Sequence, residues 1–186
     1  MIKISSQILY SLLFICLPLN TYASSNEENL YVTWEGSEPD KGASAWLIKR
    51  FINKKAVFRF KPVGTELISG QPFDVPQSQY RRSHRFTTFE SLRRAYKIED
   101  PTVIKLGKIV HDLEINTWGD KFMSESTYIE QEHRSLKLLY KKAPIPFTCH
   151  IAYFDEIYSL LKAQANFDQR TVTPIEACKL NIKPYK

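Results

Sequence analysis

A chain of 186 residues that is 43% hydrophobic and 25% charged carries too much apolar content for disorder and too little for an integral membrane protein. Its formal charge of +6 is modest, and the basic residues are scattered among acids rather than laid in a stripe with aromatics. That pattern argues against nucleic acid as a partner and leaves anionic small molecules open.

The first segment reads as a secretory signal: a basic start at Met1 to Lys3, an apolar run from Ile8 to Leu19, and the small-residue ending Thr21-Tyr22-Ala23. The run is too short to span a bilayer, which takes roughly 20 helical residues. Residues 1–23 are therefore expected to be removed, residues 24–165 to form a single globular domain, and residues 166–186 to be a C-terminal tail. The mature chain is expected in the periplasm or outside the cell, with no stable membrane insertion. Cys16 leaves with the signal, so Cys149 and Cys178 remain, either as one bridge tying down the tail or as two thiols.

In chain order, Leu30, Val32 and Trp34 alternate with Tyr31 and Thr33 as a strand. A turn at Gly36 to Asp40 follows, and then a helix from Ala43 to Ile52 with Leu47, Ile48 and Phe51 at helical spacing. A second strand is expected from Ala56 to Phe60, completing a parallel β-α-β unit. A long loop spaced by Gly64, Gly70, Pro72 and Pro76 runs to about Phe86, with one short strand near Phe73. Thr87-Thr88-Phe89-Glu90 is a capping box that opens a helix. Asp100-Pro101 opens the next helix, with Leu106, Ile109, Val110 and Leu113 as its buried stripe. Two more helices are expected near Ser126 to Lys141 and Thr148 to Ala165, the second capped by Thr148. The fold class is α/β or α+β: a small sheet begun by a parallel β-α-β unit and covered by four or more helices.

Chemistry can draw on four histidines and several acids. On the helix after Pro101, His111 and Glu114 share a face, with Gly107 one turn earlier. Asp112 falls with Lys105 and Lys108 on the opposite face, where an ion pair accounts for it. Arg81-Arg82-Ser83-His84-Arg85 precedes the capped helix, so guanidinium groups and a positive helix end could together receive an oxyanion. A solvated basic loop is the plainer account of the same residues. Glu90 either caps its helix or turns inward as a ligand. Glu130 and His133 have a Glu-x-x-His spacing without the second copy that carboxylate-bridged metal sites need, and His150 beside Cys149 lacks a nameable third partner. No nucleotide-binding glycine loop, CxxC or HExxH is present.

Four ordered segments resemble the chromate-resistance proteins of the ChrB type. They are Asp40-Lys41-Gly42-Ala43-Ser44-Ala45-Trp46-Leu47-Ile48-Lys49-Arg50-Phe51-Ile52, Gln71-Pro72-Phe73-Asp74-Val75-Pro76, Thr88-Phe89-Glu90-Ser91-Leu92 and Ile109-Val110-His111-Asp112-Leu113-Glu114-Ile115-Asn116-Thr117-Trp118. The likeness runs from about Tyr31 to Trp118 and more loosely to Leu161, and with its signal segment the chain is similar to the exported branch. It departs from that pattern at Lys41, where many members carry arginine. Ala43-Ser44-Ala45-Trp46 stands in place of an Ala-Cys-Pro-Trp version, which removes a cysteine-based reduction of chromate at that position.

The resemblance implies a binding or accessory role in chromate resistance and the stress response. It places Asp40, Asp74, His84, Glu90, His111 and Glu114 among the polar landmarks. From these the expected metal ligands are His84, Glu90, His111 and Glu114, a set suited to zinc, iron or manganese. The expected oxyanion contacts are Lys41, Arg81, Arg82 and Arg85. A metal-dependent redox enzyme acting on chromate or reactive oxygen is the competing reading, and a structural envelope domain without chemistry is the third.

Overall fold

The computed structural model describes residues 27–141 and 143–165, together with Phe167, Glu176 and Cys178. The proposed leader and most of the tail lie outside the described residues. Three strands form one parallel sheet in the order β2-β1-β3, with β1 at Leu30–Trp34, β2 at Val57–Lys61 and β3 at Gln71–Pro72. The register runs from Leu30 opposite Val57 to Trp34 opposite Lys61, and on the other side Val32 lies opposite Pro72. As the central strand, β1 buries Tyr31, Val32 and Thr33 together rather than presenting a wet face. Pro72 cannot donate to a ladder, and it sits on an edge strand where nothing asks it to.

Among the described residues five α-helices cover the sheet, as an α+β fold. Helix α1, Pro39–Leu47, begins earlier than the sequence pattern suggests, because Pro39 supplies the first helical position and the preceding turn is correspondingly shorter. Every residue from Asp40 to Leu47 is buried. The expected continuation to Ile52 winds instead as a single π turn, Ile48–Ile52.

Helix α2, Thr88–Ala95, carries the capping box: the Glu90 amide donates to Thr87 Oγ1 at 3.1 Å and the Thr87 amide to Glu90 Oε2 at 2.9 Å. Helix α3, Pro101–Glu114, is capped by Asp100, which accepts from the Thr102 and Val103 amides. Its stripe of Leu106, Ile109, Val110 and Leu113 is in the core. Helix α4 spans Ser124–Tyr140 and α5 spans Phe147–Lys162. Pro146 rather than Thr148 holds the cap position of α5, since proline fits the extended backbone there and Thr148 already lies in the first turn.

Asp112 corrects the expectation placed on it. It is buried, accepts from the Met123 amide at 3.0 Å and from Asn116 Nδ2 at 2.9 Å, and so anchors the chain entering α4. Lys105 pairs instead with Glu125 at 2.5 Å. Cys149 in α5 is bonded to Cys178 in the tail, 29 residues on, with their Cα atoms 4.6 Å apart. Phe58, Phe60 and Phe73 pack around Phe147, joining sheet to α5; the Phe60 and Phe147 rings stack with centroids 4.1 Å apart.

Candidate functional site

In a parallel sheet, ligand sites form beyond the carboxyl ends of the strands, where the connections diverge. Here the end of β1 meets the start of α1, the loop after β3, the start of α2 and the end of α3. Asp40, Asp74 and Glu114 gather at this junction around Lys41 and the start of α2. Lys41, in the first turn of α1, is only 5% exposed. Its ammonium donates to Asp74 Oδ2 at 2.8 Å and to Thr33 Oγ1 at 3.4 Å, and stands 3.7 Å from Glu38 Oε2. A buried lysine is tolerated only with such partners. Asp74 adopts a left-handed backbone with φ of 52°, a conformation that Asp reaches more readily than most side chains, and its second oxygen accepts from the Thr88 hydroxyl at 2.7 Å.

Asp40 is fully buried beside this pair. Its carboxylate accepts from the Thr88 amide at 2.7 Å and the Phe89 amide at 2.9 Å, with the Ser44 hydroxyl at 3.3 Å. The free donors at the start of α2 are therefore occupied by a carboxylate of the protein itself. This revises the idea that they would serve an external oxyanion. Burial pushes the Asp40 carboxyl up to about 7, with Asp74 and Glu114 adding to the rise and the Phe89 and Thr88 amides opposing it. Glu114 accepts from the Asp40 amide at 3.2 Å through one oxygen and pairs with Arg82 at 2.8 Å through the other. Burial also raises the Glu114 carboxyl, against the pull of Arg82.

A cleft of about 410 Å³ opens over Lys41 and Asp74 and is lined further by Glu38, Arg81 and Arg82. Three cations and two acids face it. Arg81 also donates to the Pro76 carbonyl, which holds the loop against the cleft. Arg85 is exposed and does not line the cleft; its amide donates to Ser83 Oγ at 3.2 Å.

The four expected metal ligands do not converge. His111 Nδ1 lies 2.9 Å from Glu90 Oε2, the oxygen that also accepts from Thr87, and the His111 ring is a third exposed. Glu114 is engaged by Arg82 and the Asp40 amide, while His84 is exposed. Among the described residues no three His, Cys, Asp or Glu side chains form a group able to hold a metal ion. Glu90 caps α2 and, through the same Oε2, meets His111 Nδ1.

Sequence reasoning missed Glu38, Thr33 and Thr88 as partners of the Lys41 site. Thr33 carried a usable signal, being a hydroxyl at the carboxyl end of a strand buried on both sides. The others depend on contacts that local pattern does not reach.

Among the described residues no helix is long and apolar enough to cross a membrane. No curated protein and no solved structure matches the chain. The family model of the ChrB C-terminal domain matches residues 31–161, a span that contains β1 from Tyr31 onward, β2, β3, the whole cleft and helices α1 to α4. The chain therefore belongs to the ChrB C-terminal-domain family and has that family's role in chromate resistance.

Proposed function

We propose that this protein is an exported chromate-resistance protein that binds the oxyanion in the cleft over Lys41. The observation that carries this reading is a nearly buried ammonium opening onto a cleft with two guanidinium groups at its rim. A tetrahedral dianion needs concentrated positive charge with donors on more than one side, and Lys41, Arg81 and Arg82 supply it from two different segments. Glu38 and Asp74 hold Lys41 in place at the floor of the cleft. The leader composition supports export, as does the bond between Cys149 and Cys178, which suits an oxidising compartment. Among the described residues the metal-dependent redox reading has no converging ligand set to support it.

Calorimetric titration with chromate tests the proposal. Wild-type protein should give a saturable heat that weakens at high salt, because rim charges are screened. Arg81→Ala and Arg82→Ala should each bind about tenfold more weakly, equivalent to about 1.4 kcal/mol. Absence of saturable heat in the wild type, or unchanged affinity in both variants, overturns it.

A further inference from the structure

Among the described residues around the Lys41 cleft, four carboxyls stand against three cations: Glu38, Asp40, Asp74 and Glu114 against Lys41, Arg81 and Arg82. Three of the acids have a cation in reach. Lys41 Nζ is 3.7 Å from Glu38 and 2.8 Å from Asp74, and Arg82 pairs with Glu114 at 2.8 Å. Asp40 is held differently. It is fully buried, and the donors to its oxygens are neutral: the Thr88 and Phe89 amides and the Ser44 hydroxyl. A buried carboxyl without a cation pays most for its charge, so it is the first of the four to take a proton when more negative charge arrives.

That charge arrives with the ligand. A chromate dianion held by Lys41 and Arg82 shares the cations that already serve Asp74 and Glu114. Both of these acids act on Asp40: together with burial they raise its carboxyl to about 7, and Glu114 also accepts from the Asp40 amide at 3.2 Å. Loosening either pairing leaves Asp40 facing more negative charge, from α3 and from the loop after β3. The other neighbours do not offset it. Helix α2 presents Thr88 and Phe89, β1 presents Thr33, and Glu90 and His111 are engaged with one another. On α5, His150 packs against Gly42 and is kept neutral at physiological pH by burial, with His133 and Lys41 adding to the effect.

We propose that chromate enters the Lys41 cleft together with one proton, drawn from solvent and held by Asp40. The inference rests on the reading of that cleft as the chromate site and adds a regulation to it: capture near neutral pH and below, release as pH rises. Asp40 is ionised above about pH 7 in the free protein and protonated in the complex. Each bound chromate therefore takes up close to one proton at pH 8, where chromate itself is a dianion, and affinity falls by up to about tenfold per pH unit above 7.

Calorimetric titration of the full-length protein with chromate at pH 8, in Tris and in Hepes, counts these protons, because the two buffers release them with different heats. Wild type should take up close to one proton per chromate, and its infrared difference spectrum should gain a carboxylic-acid carbonyl band on binding. Asp40→Asn with a wild-type circular dichroism spectrum should bind chromate with neither signal. Saturable binding with the same heat in both buffers overturns the inference and leaves the chromate reading standing. So does proton uptake without the carboxylic-acid band, or uptake undiminished in the folded variant. Absence of saturable binding in the wild type overturns the chromate reading, and this inference with it.

Discussion

Asp40 sets the electrostatic character of the Lys41 junction, because a fully buried carboxyl there faces two other acids and two amides. Its ordinary value is 3.8 and its folded value is about 7, so between these limits the folded state holds a proton that the unfolded chain releases. The stability Asp40 contributes is complete below about pH 4 and is lost as pH rises through about 7, at up to roughly 1.4 kcal/mol per pH unit. His133 and His150 act in the opposite sense, losing stability as pH falls from 6.5 toward 3. Their contribution is common to wild type and Asp40→Asn and cancels in the comparison. Urea denaturation at pH 5 and pH 8 should therefore show a less favourable change in stability across that interval for wild type than for Asp40→Asn. An equal change in the two proteins would contradict the assignment. At this scale the sequence identified Asp40 as a landmark through family resemblance only. Its partners Thr88 and Phe89 are 48 and 49 residues away, beyond the reach of any local pattern.

Helix α1 is the element that ties the molecule together, since it buries all its residues from Asp40 onward and packs against α5 through Gly42. A Cβ at residue 42 would sit 2.1 Å from His150 Nδ1. The ring cannot swing aside because it is enclosed on every side. Gly42→Ala should cost about 1–3 kcal/mol in chemical denaturation, the range of an overpacked core, despite alanine's better helix propensity. Unchanged or raised stability would show that α1 and α5 are less closely packed.

Helix starts were the most legible elements because their signals are local: Thr87 with Glu90, and Asp100 with Pro101, specify their caps within four residues. Asp112 was misplaced for the opposite reason. Its role is to receive the Met123 amide eleven residues on, and helical spacing alone left it among lysines.

At the scale of the whole molecule, a three-stranded parallel sheet is too small to bury itself, and the helices and the Cys149–Cys178 bond complete the enclosure. The β-α-β opening was readable from period and crossover length, whereas the central position of β1, and hence the burial of Thr33, required the pairing of β3 on its far side. The site was legible as a set of residue types and not as a set of pairings. Lys41 with Asp74, Glu114 with Arg82, and His111 with Glu90 come from different elements brought together only by the packing of α1, α2 and α3 around the sheet's carboxyl edge.

The central claim is that chromate occupies the cleft over Lys41. The most direct test is an anomalous difference map, at the chromium edge, from crystals soaked in chromate. A chromium peak should appear in that cleft, with oxygens in hydrogen-bonding reach of Lys41 Nζ and at least one of the Arg81 and Arg82 guanidinium groups. An empty cleft in chromate-saturated crystals, or a peak held elsewhere on the molecule, would contradict it.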